Sequence, residues 1–379
     1  MKILTLSSCP LDPMLGSGKT RLRWSQGLRA LGHDVQVFEP RAFEWLHGLN
    51  RAVRFKQALG ALGLVRARLR DNEYDLVEFF GGEFGLATKW LSRAQRRPLI
   101  VAHTDGLELL ASEREREYAG RARTAAGRLG VWYRRQTHER LSRAAFAFAD
   151  AFVTGCELDR QRALELELFP ADRTAVIAPG LDDEYLRVPL ARQREARVAF
   201  TGTWTPRKGV KHVVGVMNVV LRQHPGLRLD LYGTAGRADA ILNQFDPSVG
   251  ERITVRGRVS NRDLADGLSR AAVFFFPTQY EGFGMALAEA MACGCAPVTT
   301  RTGFGAELRQ GEEAFVCGFD DSEAMRRAIV ALLDDANLRS RLAEAARRRV
   351  RALSWRTQIG TLEATYLSWL SGWRRRERG

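Results

Sequence analysis

The sequence predicts an α/β protein of two doubly wound domains, each a parallel sheet with helices on both faces. Its 379 residues exceed the roughly 250 to 300 at which a single hydrophobic core stops growing. Apolar runs of strand length alternate with longer amphipathic stretches, which is the pattern of a parallel sheet covered by helices. Apolar residues make up 45% of the chain and charged residues 27%, so the composition is that of a folded protein.

The first half of the chain contains six runs of strand length. The first crossover is the clearest, because the Gly-rich turn Gly16-Ser17-Gly18 opens a helix that Gly32 ends before the second run. A charged segment, 113–143, is predicted as helical material inserted between two strands. The simplest explanation of its charges is a helix face exposed to solvent. The six predicted strands are 3–7, 35–38, 76–80, 99–103, 151–155 and 175–178.

The second half repeats this pattern, and a polar stretch with a proline, 180–197, is predicted as the junction. The predicted domains are 1–185 and 196–353, followed by a helix at 354–379 that we expect to pack back on the first domain and to end in a basic tail. We expect a ligand in the cleft that the two domains face, at the carboxyl ends of the strands. The predicted strands of this half are 196–202, 229–233, 253–257, 272–277 and 296–300.

Cysteine usage and the amino terminus predict a cytoplasmic location. The first apolar run is too short for the core of a signal peptide, and no window approaches the ~18 apolar residues of a spanning helix. The five cysteines are odd in number and contain no Cys-x-x-Cys pair. Cys293 and Cys295 are expected to be buried thiols, and metal binding is the less favoured alternative.

A formal net charge of +14 attracts phosphates, anionic lipids or nucleic acid, but does not choose among them. The aromatic and basic interleaving of RNA-binding modules is lacking, so we expect no nucleic-acid partner. Two stretches mix arginines with bulky apolar residues, as interfacial helices do, so peripheral contact with the inner face of a membrane remains open beside burial on the sheets. These residues are Trp45, Phe55 and Leu59 in 43–70, and Tyr366, Trp369 and Trp373 near the carboxyl terminus.

The stretch 277–298 carries the strongest chemical signal. Gly284 opens a helix whose first amides face the strand ends, which makes an anion site. Glu289 is the one carboxylate in this apolar helix, and burying it is costly unless it is paired. The two hydroxyls of a ribose would satisfy it, with a buried arginine as the alternative partner. Glu281, eight residues earlier, is expected to face the other side of a diphosphate, or else to cap backbone amides.

At these residues the sequence resembles the GT-B glycosyltransferases of family 4, whose second domain carries a Glu, seven residues, then a second Glu. The elements EGFG, EAMA and G-x-APV around Glu281 and Glu289 match the family as well. The segment 200–214 resembles the family's Gly-Arg-x-x-x-x-Lys-Gly loop, with Lys208 in the place of the diphosphate-binding lysine. Thr203 replaces the family's arginine, which leaves neighbouring Arg207 as the candidate for that charge.

The resemblance implies a GT-B fold of two Rossmann-like domains and a retaining, front-face transfer from a nucleotide-diphosphate sugar to an acceptor hydroxyl. Lys208 would stabilise the departing diphosphate, Glu281 would hold sugar hydroxyls and Glu289 the ribose. His103, at the end of a predicted strand, resembles the histidine that contacts the donor sugar, and we expect it to point into the cleft; a core histidine is the alternative. Glu78 is a weaker match of the same kind.

The donor-binding residues that the resemblance implies lie in both domains, and Gly16 and Gly18 fall in a loop that approaches the donor phosphate. No Asp-x-Asp occurs, so we predict neither a metal nor a cofactor beyond the nucleotide-sugar substrate. The acceptor is open among a glycan, a lipid-linked glycan and a natural product. The full implied set is Gly16, Gly18, Thr203, Arg207, Gly282, Phe283, Gly284, Met285 and Glu289.

Three alternatives are weighed against this interpretation. The letters GSGKT at 16–20 look like the end of a phosphate-binding P-loop, but Pro13 stands where that motif needs a glycine. A GT-B epimerase or phosphorylase would share the fold, and fold alone does not exclude it. A non-catalytic membrane-surface protein would explain the charge but not the two glutamates with Lys208.

Overall fold

The computed structural model describes residues 1–44, 53–107, 139–190 and 194–378, and the chain divides into two compact units. Unit 1 consists of Met1–Gly180 and Trp355–Gly379, and unit 2 of Leu181–Ser354. Most of the predicted insertion at 113–143 lies outside the described residues. Among the described residues, no helix is both long and apolar enough to cross a membrane.

The sheet of unit 1 is parallel throughout, with six strands among the described residues in the order β2-β1-β3-β4-β5-β6. Strands rich in Val, Ile, Leu and Phe suit a sheet that is buried on both faces. The order reverses between β1 and β3, where the loop after β1 meets the loop after β3. The strands are β1 (Lys2–Ser7), β2 (Asp34–Phe38), β3 (Leu76–Phe80), β4 (Leu99–Thr104), β5 (Ala151–Thr154) and β6 (Thr174–Val176).

Two apolar cores cover the faces of this sheet. On one face, Trp24 and Leu28 of the first helix and Leu362 and Leu370 of the carboxyl-terminal helix pack over the strands. On the other, the second and third helices cover a cluster that includes Phe79. The helices of unit 1 are α1 (Gly16–Ala30), α2 (Val53–Asp71), α3 (Gly85–Leu91), α4 (Arg140–Ala147), α5 (Glu157–Glu165) and, at the carboxyl terminus, α13 (Trp355–Arg378).

Unit 2 contains a second parallel sheet, with six strands in its described part in the order β12-β11-β10-β7-β8-β9. Here the order reverses between β7 and β10, which pair with Val273 opposite Val198. Ligands of doubly wound sheets bind at such a switch point, outside the carboxyl ends of the strands. The strands are β7 (Glu195–Thr201), β8 (Arg228–Tyr232), β9 (Ile253–Val255), β10 (Ala271–Phe276), β11 (Ala296–Thr300) and β12 (Phe315–Cys317).

Four of the described helices of unit 2 bury a continuous core against this sheet, in which Val213 and Met217 of one helix pack with Phe275 of β10. The predicted α/β class, with two doubly wound sheets, is confirmed. One strand was not predicted, because β12 is a three-residue edge strand and too short to stand out as an apolar run. The helices are α6 (Asp183–Leu186), α7 (Val210–Gln223), α8 (Ala238–Leu242), α9 (Asn261–Arg270), α10 (Met285–Ala292), α11 (Ser322–Asp334) and α12 (Ala336–Val350).

Candidate functional site

Two loops meet at the switch point of unit 2, one after β7 and one after β10. The first contains a 3₁₀ turn, Pro206–Lys208, and then Gly209, whose φ of +71° caps the start of α7. A Cβ at Gly209 would overlap the carbonyl oxygen of Pro277 in the second loop. Only glycine accepts both the positive φ and this close approach, so the backbone geometry explains why a glycine follows Lys208 in the sequence.

Glu281 in the second loop is the centre of a compact polar cluster. Its Oε1 accepts hydrogen bonds from Lys208 Nζ at 2.7 Å and from Thr278 Oγ1 at 2.7 Å, and lies 3.5 Å from a terminal nitrogen of Arg207. Glu281 is 8% exposed, and the Lys208 side chain 13%. Lys208 is therefore not a surface lysine, and its charge is held in place by an ionic partner.

Arg207 joins the two loops through its backbone as well. Its carbonyl oxygen accepts from the amide of Gln279 at 2.8 Å, while its guanidinium donates to the carbonyl oxygen of Tyr280 at 2.8 Å. The side chain of Arg207 is 42% exposed, and Thr203 lies on the exposed part of the first loop. Arg207 therefore provides a second cation beside Glu281, and its substitution for the family's charge at Thr203 stays a prediction.

The second loop ends in the amino terminus of α10. Gly282 and Phe283 are buried, Gly284 caps the helix with a φ of +98°, and Met285 is its first residue. The first amides of a helix have no partner within the helix and carry its positive dipole end. Glu281 and the start of α10 are only a few residues apart, so the cations and the helix terminus belong to one site.

Glu289 lies one turn into α10 and is 7% exposed. The buried Tyr185 of α6 is close to it: burial, and after that the charge of Glu289, raise the pKa of the Tyr185 hydroxyl. That hydroxyl donates to the side-chain oxygen of Asn261 at 3.2 Å. The predicted partner of Glu289, a ribose, stays a prediction.

The residues predicted in unit 1 have surroundings of a different kind. Gly16 and Gly18 were expected in the loop after β1, but both lie in the first turn of α1. A Cβ at Gly18 would come within 2.6 Å of the backbone of Asp12 and Pro10, so glycine permits that loop to pack on the helix. The structure joins Lys208, Arg207 and Glu281 by direct contacts. Gly16, Gly18 and His103 belong to the other unit, and their contact with a donor stays a prediction.

The expected orientation of His103 is corrected by the structure. Side chains alternate along a strand, so His103 lies on the same face of β4 as Leu99 and Val101, under α1 and α13. Its ring is 1% exposed and stacks on Phe80, with the two centroids 4.0 Å apart. Burial, and secondly the charge of Arg21, hold the pKa of the His103 imidazole well below its ordinary value.

Sequence reasoning missed two residues that contact predicted ones. Thr278, three residues before Glu281, binds that carboxylate, and hydroxyl residues in polar loops next to a buried acid are a signal that could have found it. Tyr366 of α13 is 2.7 Å from Nε2 of His103. Its position continues the apolar spacing of Ile359 and Leu362, so the sequence offers no sign of a polar role.

The carboxyl-terminal aromatic residues do not form an exposed interfacial surface. Tyr366 is fully buried, and Trp369 and Trp373 are half-buried against the core of unit 1, as the burial alternative expects. In 43–70, Trp45 lies outside the described residues, Leu59 is half-buried and Phe55 is 55% exposed.

Within the described residues, no group of three or more His, Cys, Asp or Glu side chains is arranged to hold a metal ion. The absence of a metal requirement stays a prediction. Cys293 and Cys295 are buried thiols, as expected, and burial raises the pKa of Cys295 to about 11.

Comparison with protein families finds a match in each half. Residues 16–180 match a model described as glycosyl transferase 4-like domain, and residues 182–349 match one described as glycosyl transferases group 1. The two matches meet at the boundary between the units.

Curated relatives and solved structures agree with these matches. Glycogen synthase of Mycobacterium tuberculosis is 29% identical over 200 residues, which cover 51% of this chain and 48% of that protein. The GDP-mannose-dependent monoacylated alpha-(1-6)-phosphatidylinositol monomannoside mannosyltransferase of Corynebacterium glutamicum is 26% identical over 169 residues, 43% of this chain and 44% of that one. The chain thus spans about half the length of these relatives.

Sucrose-phosphate synthase from Thermosynechococcus elongatus has a TM-score of 0.78 at 21% identity, covering 98% of this chain and 100% of that one. Anabaena HepE, solved in complex with UDP, has a TM-score of 0.69 at 18% identity, with 97% and 100% covered. At these identities, the likeness to solved structures shows the fold.

Proposed function

The chain belongs to the family 4 type of GT-B glycosyltransferases, and from this premise we propose that it moves a sugar from a nucleotide-diphosphate donor to an acceptor hydroxyl with retention of configuration. The observation that carries the proposal is the pairing of Lys208 with Glu281 beside the amino terminus of α10. Two cations and a helix dipole there face one carboxylate.

The hydrogen-bonding groups of Lys208 and Glu281 that remain available suit a nucleotide-diphosphate sugar. An ammonium has three N–H donors, and in the described structure Glu281 is the hydrogen-bond partner of Lys208 Nζ, which also lies 5.1 Å from the centroid of the Phe276 ring. The three contacts of the Glu281 carboxylate all fall on Oε1, so among the described residues Oε2 has none. Lys208 can donate to phosphate oxygens while Oε2 accepts from sugar hydroxyls. A diphosphate sugar offers both groups side by side.

The charges favour departure of the diphosphate. Negative charge grows on its bridging oxygen as the bond to the sugar breaks, and preorganised cations and amides stabilise charge that develops in a transition state. Lys208, Arg207 and the first amides of α10 would supply this stabilisation. Glu289, further along α10, would bind the ribose hydroxyls and so fix the nucleotide.

A front-face reaction accounts for retention with these residues. The bond from the anomeric carbon to the diphosphate breaks, the bond to the acceptor oxygen forms on the same face, and the acceptor proton passes to the diphosphate oxygen. Glu281 is a weak candidate for a covalent nucleophile, because Lys208, Thr278 and Arg207 all draw on the charge of Oε1. It serves to orient the sugar.

The proposal is tested with UDP-glucose and GDP-mannose, with water as the acceptor. A transferase releases nucleoside diphosphate slowly from its donor, and NMR of the fresh solution reports the anomer of the freed sugar before it equilibrates. We expect the α anomer from one of the two donors. First appearance of the β anomer would contradict retention, and a release rate equal to that of the boiled protein with both would contradict donor turnover.

A peripheral contact with anionic lipid is a second proposal, favoured by the exposed Phe55 near the start of α2 and by the net charge of +14. We expect vesicles with anionic lipid to retain the protein at low salt and Phe55→Ala to weaken this. Equal retention by neutral vesicles, or none by anionic ones, would rule the contact out.

A further inference from the structure

Arg21 on α1 is a buried cation with most of its hydrogen-bond donors unused. Its side chain is 2% exposed, and one terminal nitrogen pairs with the carboxylate of Asp105, 2.5 Å away and directly after β4. Nε and the other terminal nitrogen are buried, and in the part of the chain that the structure describes they have no hydrogen-bond partner. These two nitrogens carry three of the five N–H donors of the guanidinium.

The indole nitrogen of Trp24 is a second unpartnered donor on α1. Trp24 is 5% exposed, and its Nε1 has no partner among the described residues. Residues three apart on a helix are neighbours on its surface, and both side chains pack on Phe80 at the end of β3. The centroid of the Phe80 ring lies 4.9 Å from the guanidinium carbon of Arg21 and 5.9 Å from the centroid of the Trp24 ring. Four unused N–H donors, three of Arg21 and one of Trp24, therefore belong to side chains around one aromatic ring.

Glu78, the buried carboxylate of β3, has a different environment. One of its oxygens accepts a hydrogen bond from Thr5 Oγ1 at 2.6 Å, and the other accepts from the hydroxyl of Tyr366 on α13. Both oxygens of this buried charge thus have a donor. Arg21 has no comparable set of partners, so unused hydrogen-bonding groups are not a general property of buried charges in unit 1.

The physical chemistry of Arg21 favours an anion as the missing partner. A guanidinium does not lose its proton in proteins, so Arg21 cannot escape the cost of burial by becoming neutral. Its charge still acts on its surroundings, because after burial it is the second cause that holds the pKa of the His103 imidazole below its ordinary value. Asp105 pairs with one nitrogen only. Unused donors on a cation are best satisfied by oxygen atoms that carry negative charge.

We propose that unit 1 binds an anionic group, a phosphate or a carboxylate, at Arg21 and Trp24, and that this group belongs to the acceptor. The anion site depends on contacts within unit 1 alone. Its assignment to the acceptor rests on the proposed function, in which Lys208 and Arg207 supply the cations for the donor diphosphate. Asp105 marks the side from which a solute reaches Arg21, since its side chain is 39% exposed and contacts the guanidinium.

The first test follows the indole N–H signals of ¹⁵N-labelled protein as inorganic phosphate is added at constant ionic strength. The chain has eight tryptophans, and Trp24→Phe and Trp373→Phe assign the two signals of interest. Trp373 is the internal control: its Nε1 is also buried without a partner in the described structure, but its ring packs against Arg97, which Asp150 neutralises. We expect phosphate to shift the Trp24 signal saturably and to leave that of Trp373. Equal shifts of both signals, or none for Trp24, would overturn the site.

The second test is Arg21→Met, with Arg29→Met as the matched control. Methionine is apolar and of similar length, and Asp105, which loses its partner, is partly exposed. Without phosphate, we expect Arg21→Met to be at least as stable as the wild type; with phosphate, it should lose both the Trp24 shift and the rise in Tm. Arg29 on the same helix donates to the carbonyl oxygen of Val35, and Arg29→Met should keep both responses. A phosphate response that survives Arg21→Met would overturn the proposal. If that variant does not fold, the first test decides.

The third test separates the acceptor from the donor. Glucose and glucuronate, a neutral sugar and its carboxylate counterpart, are compared with UDP and GDP on the Trp24 signal. We expect glucuronate to shift this signal at a concentration about tenfold lower than glucose, and saturating UDP or GDP to leave it in place. Equal responses to the two sugars would overturn recognition of charge. A shift caused by UDP or GDP would assign the anion to the donor and overturn the acceptor half. Failure of both nucleotides to raise Tm would count against the proposed function, while the phosphate titration still decides the anion site.

Discussion

The polar clusters of the two units occupy similar sheets but differ in what they leave unpaired. In unit 2, Lys208 and Glu281 lie at the switch point, and both retain hydrogen-bonding capacity in the described structure. In unit 1, Glu78 and His103 are enclosed, and a tyrosine from α13 takes up most of their capacity. Polar side chains near strand ends therefore differ in how much hydrogen-bonding capacity they keep for a ligand.

The difference has a structural cause in the carboxyl-terminal helix. α13 packs beside α1 over one face of the unit 1 sheet and brings Tyr366 onto the polar atoms below. In unit 2, the partners of Glu281 come from its own loop and from the loop after β7, and the cluster stays partly open. Open capacity next to cations marks the site that can bind a charged ligand, whereas enclosed polar groups stabilise and orient.

The largest effect is expected from Lys208→Ala, which breaks the open cluster of unit 2. Loss of a cation that stabilises developing charge should lower donor turnover about 100-fold to 1,000-fold, while the fold persists because Thr278 and Arg207 still contact Glu281. Turnover of the donor that the wild type uses measures this.

Lys211→Ala is the matched control, because Lys211 is an exposed lysine on the following helix, three residues away. It should turn over donor at the wild-type rate. A Lys208→Ala variant within threefold of that rate would remove Lys208 from the reaction and with it the contrast between the two units.

A second effect, on stability, is expected from Gly209→Ala. The φ of +71° and the overlap with the Pro277 carbonyl oxygen both penalise a Cβ, so the free energy of unfolding should fall by about 3 kcal/mol. Gly215 lies within α7, the helix that Gly209 caps, and a Cβ there would meet open space. Gly215→Ala should therefore leave the free energy of unfolding unchanged or raise it by up to about 1 kcal/mol. Equal denaturant midpoints for the two variants would show that the close approach of Gly209 to Pro277 does not require glycine.

The smallest effect is a pH dependence that belongs to unit 1. Burial lowers the pKa of the His103 imidazole in the folded protein well below its ordinary value of 6.5. As the pH falls through about 6.5, His103 therefore takes up a proton in the unfolded chain but not in the folded protein. The stability held at neutral pH is therefore lost on acidification, with a slope of at most about 1.4 kcal/mol per pH unit. Burial raises the pKa of Glu78, whose contribution has the opposite sign.

Comparing the wild type with His103→Gln from about pH 8 to about pH 5 isolates the histidine, since Glu78 is common to both. The stability of the wild type should fall more steeply than that of the variant. Parallel curves would mean that His103 accepts a proton in the folded state as readily as in the unfolded chain, and so is not enclosed.

The fold was largely predictable, because parallel strands buried on both faces form apolar runs that stand out from the sequence. The candidate site of unit 2 was partly predictable: Glu281, Glu289 and Lys208 carry family spacing, but the contact between Lys208 and Glu281 depends on two loops 73 residues apart. The surroundings of His103 were not predictable, since Tyr366 reaches it from 263 residues away and continues an apolar stripe.

The central claim is that unit 2 binds the nucleotide of the donor through Lys208 and Glu289, and the thermal shift with UDP, GDP, ADP and TDP tests it most directly. Ligand at about 100 times its dissociation constant should stabilise the protein by about 2.7 kcal/mol. We predict that one nucleotide raises Tm of the wild type, that Lys208→Ala and Glu289→Ala weaken the shift, and that Lys211→Ala keeps it. An unchanged shift in both site variants, or no shift with any nucleotide in the folded wild type, would contradict the account.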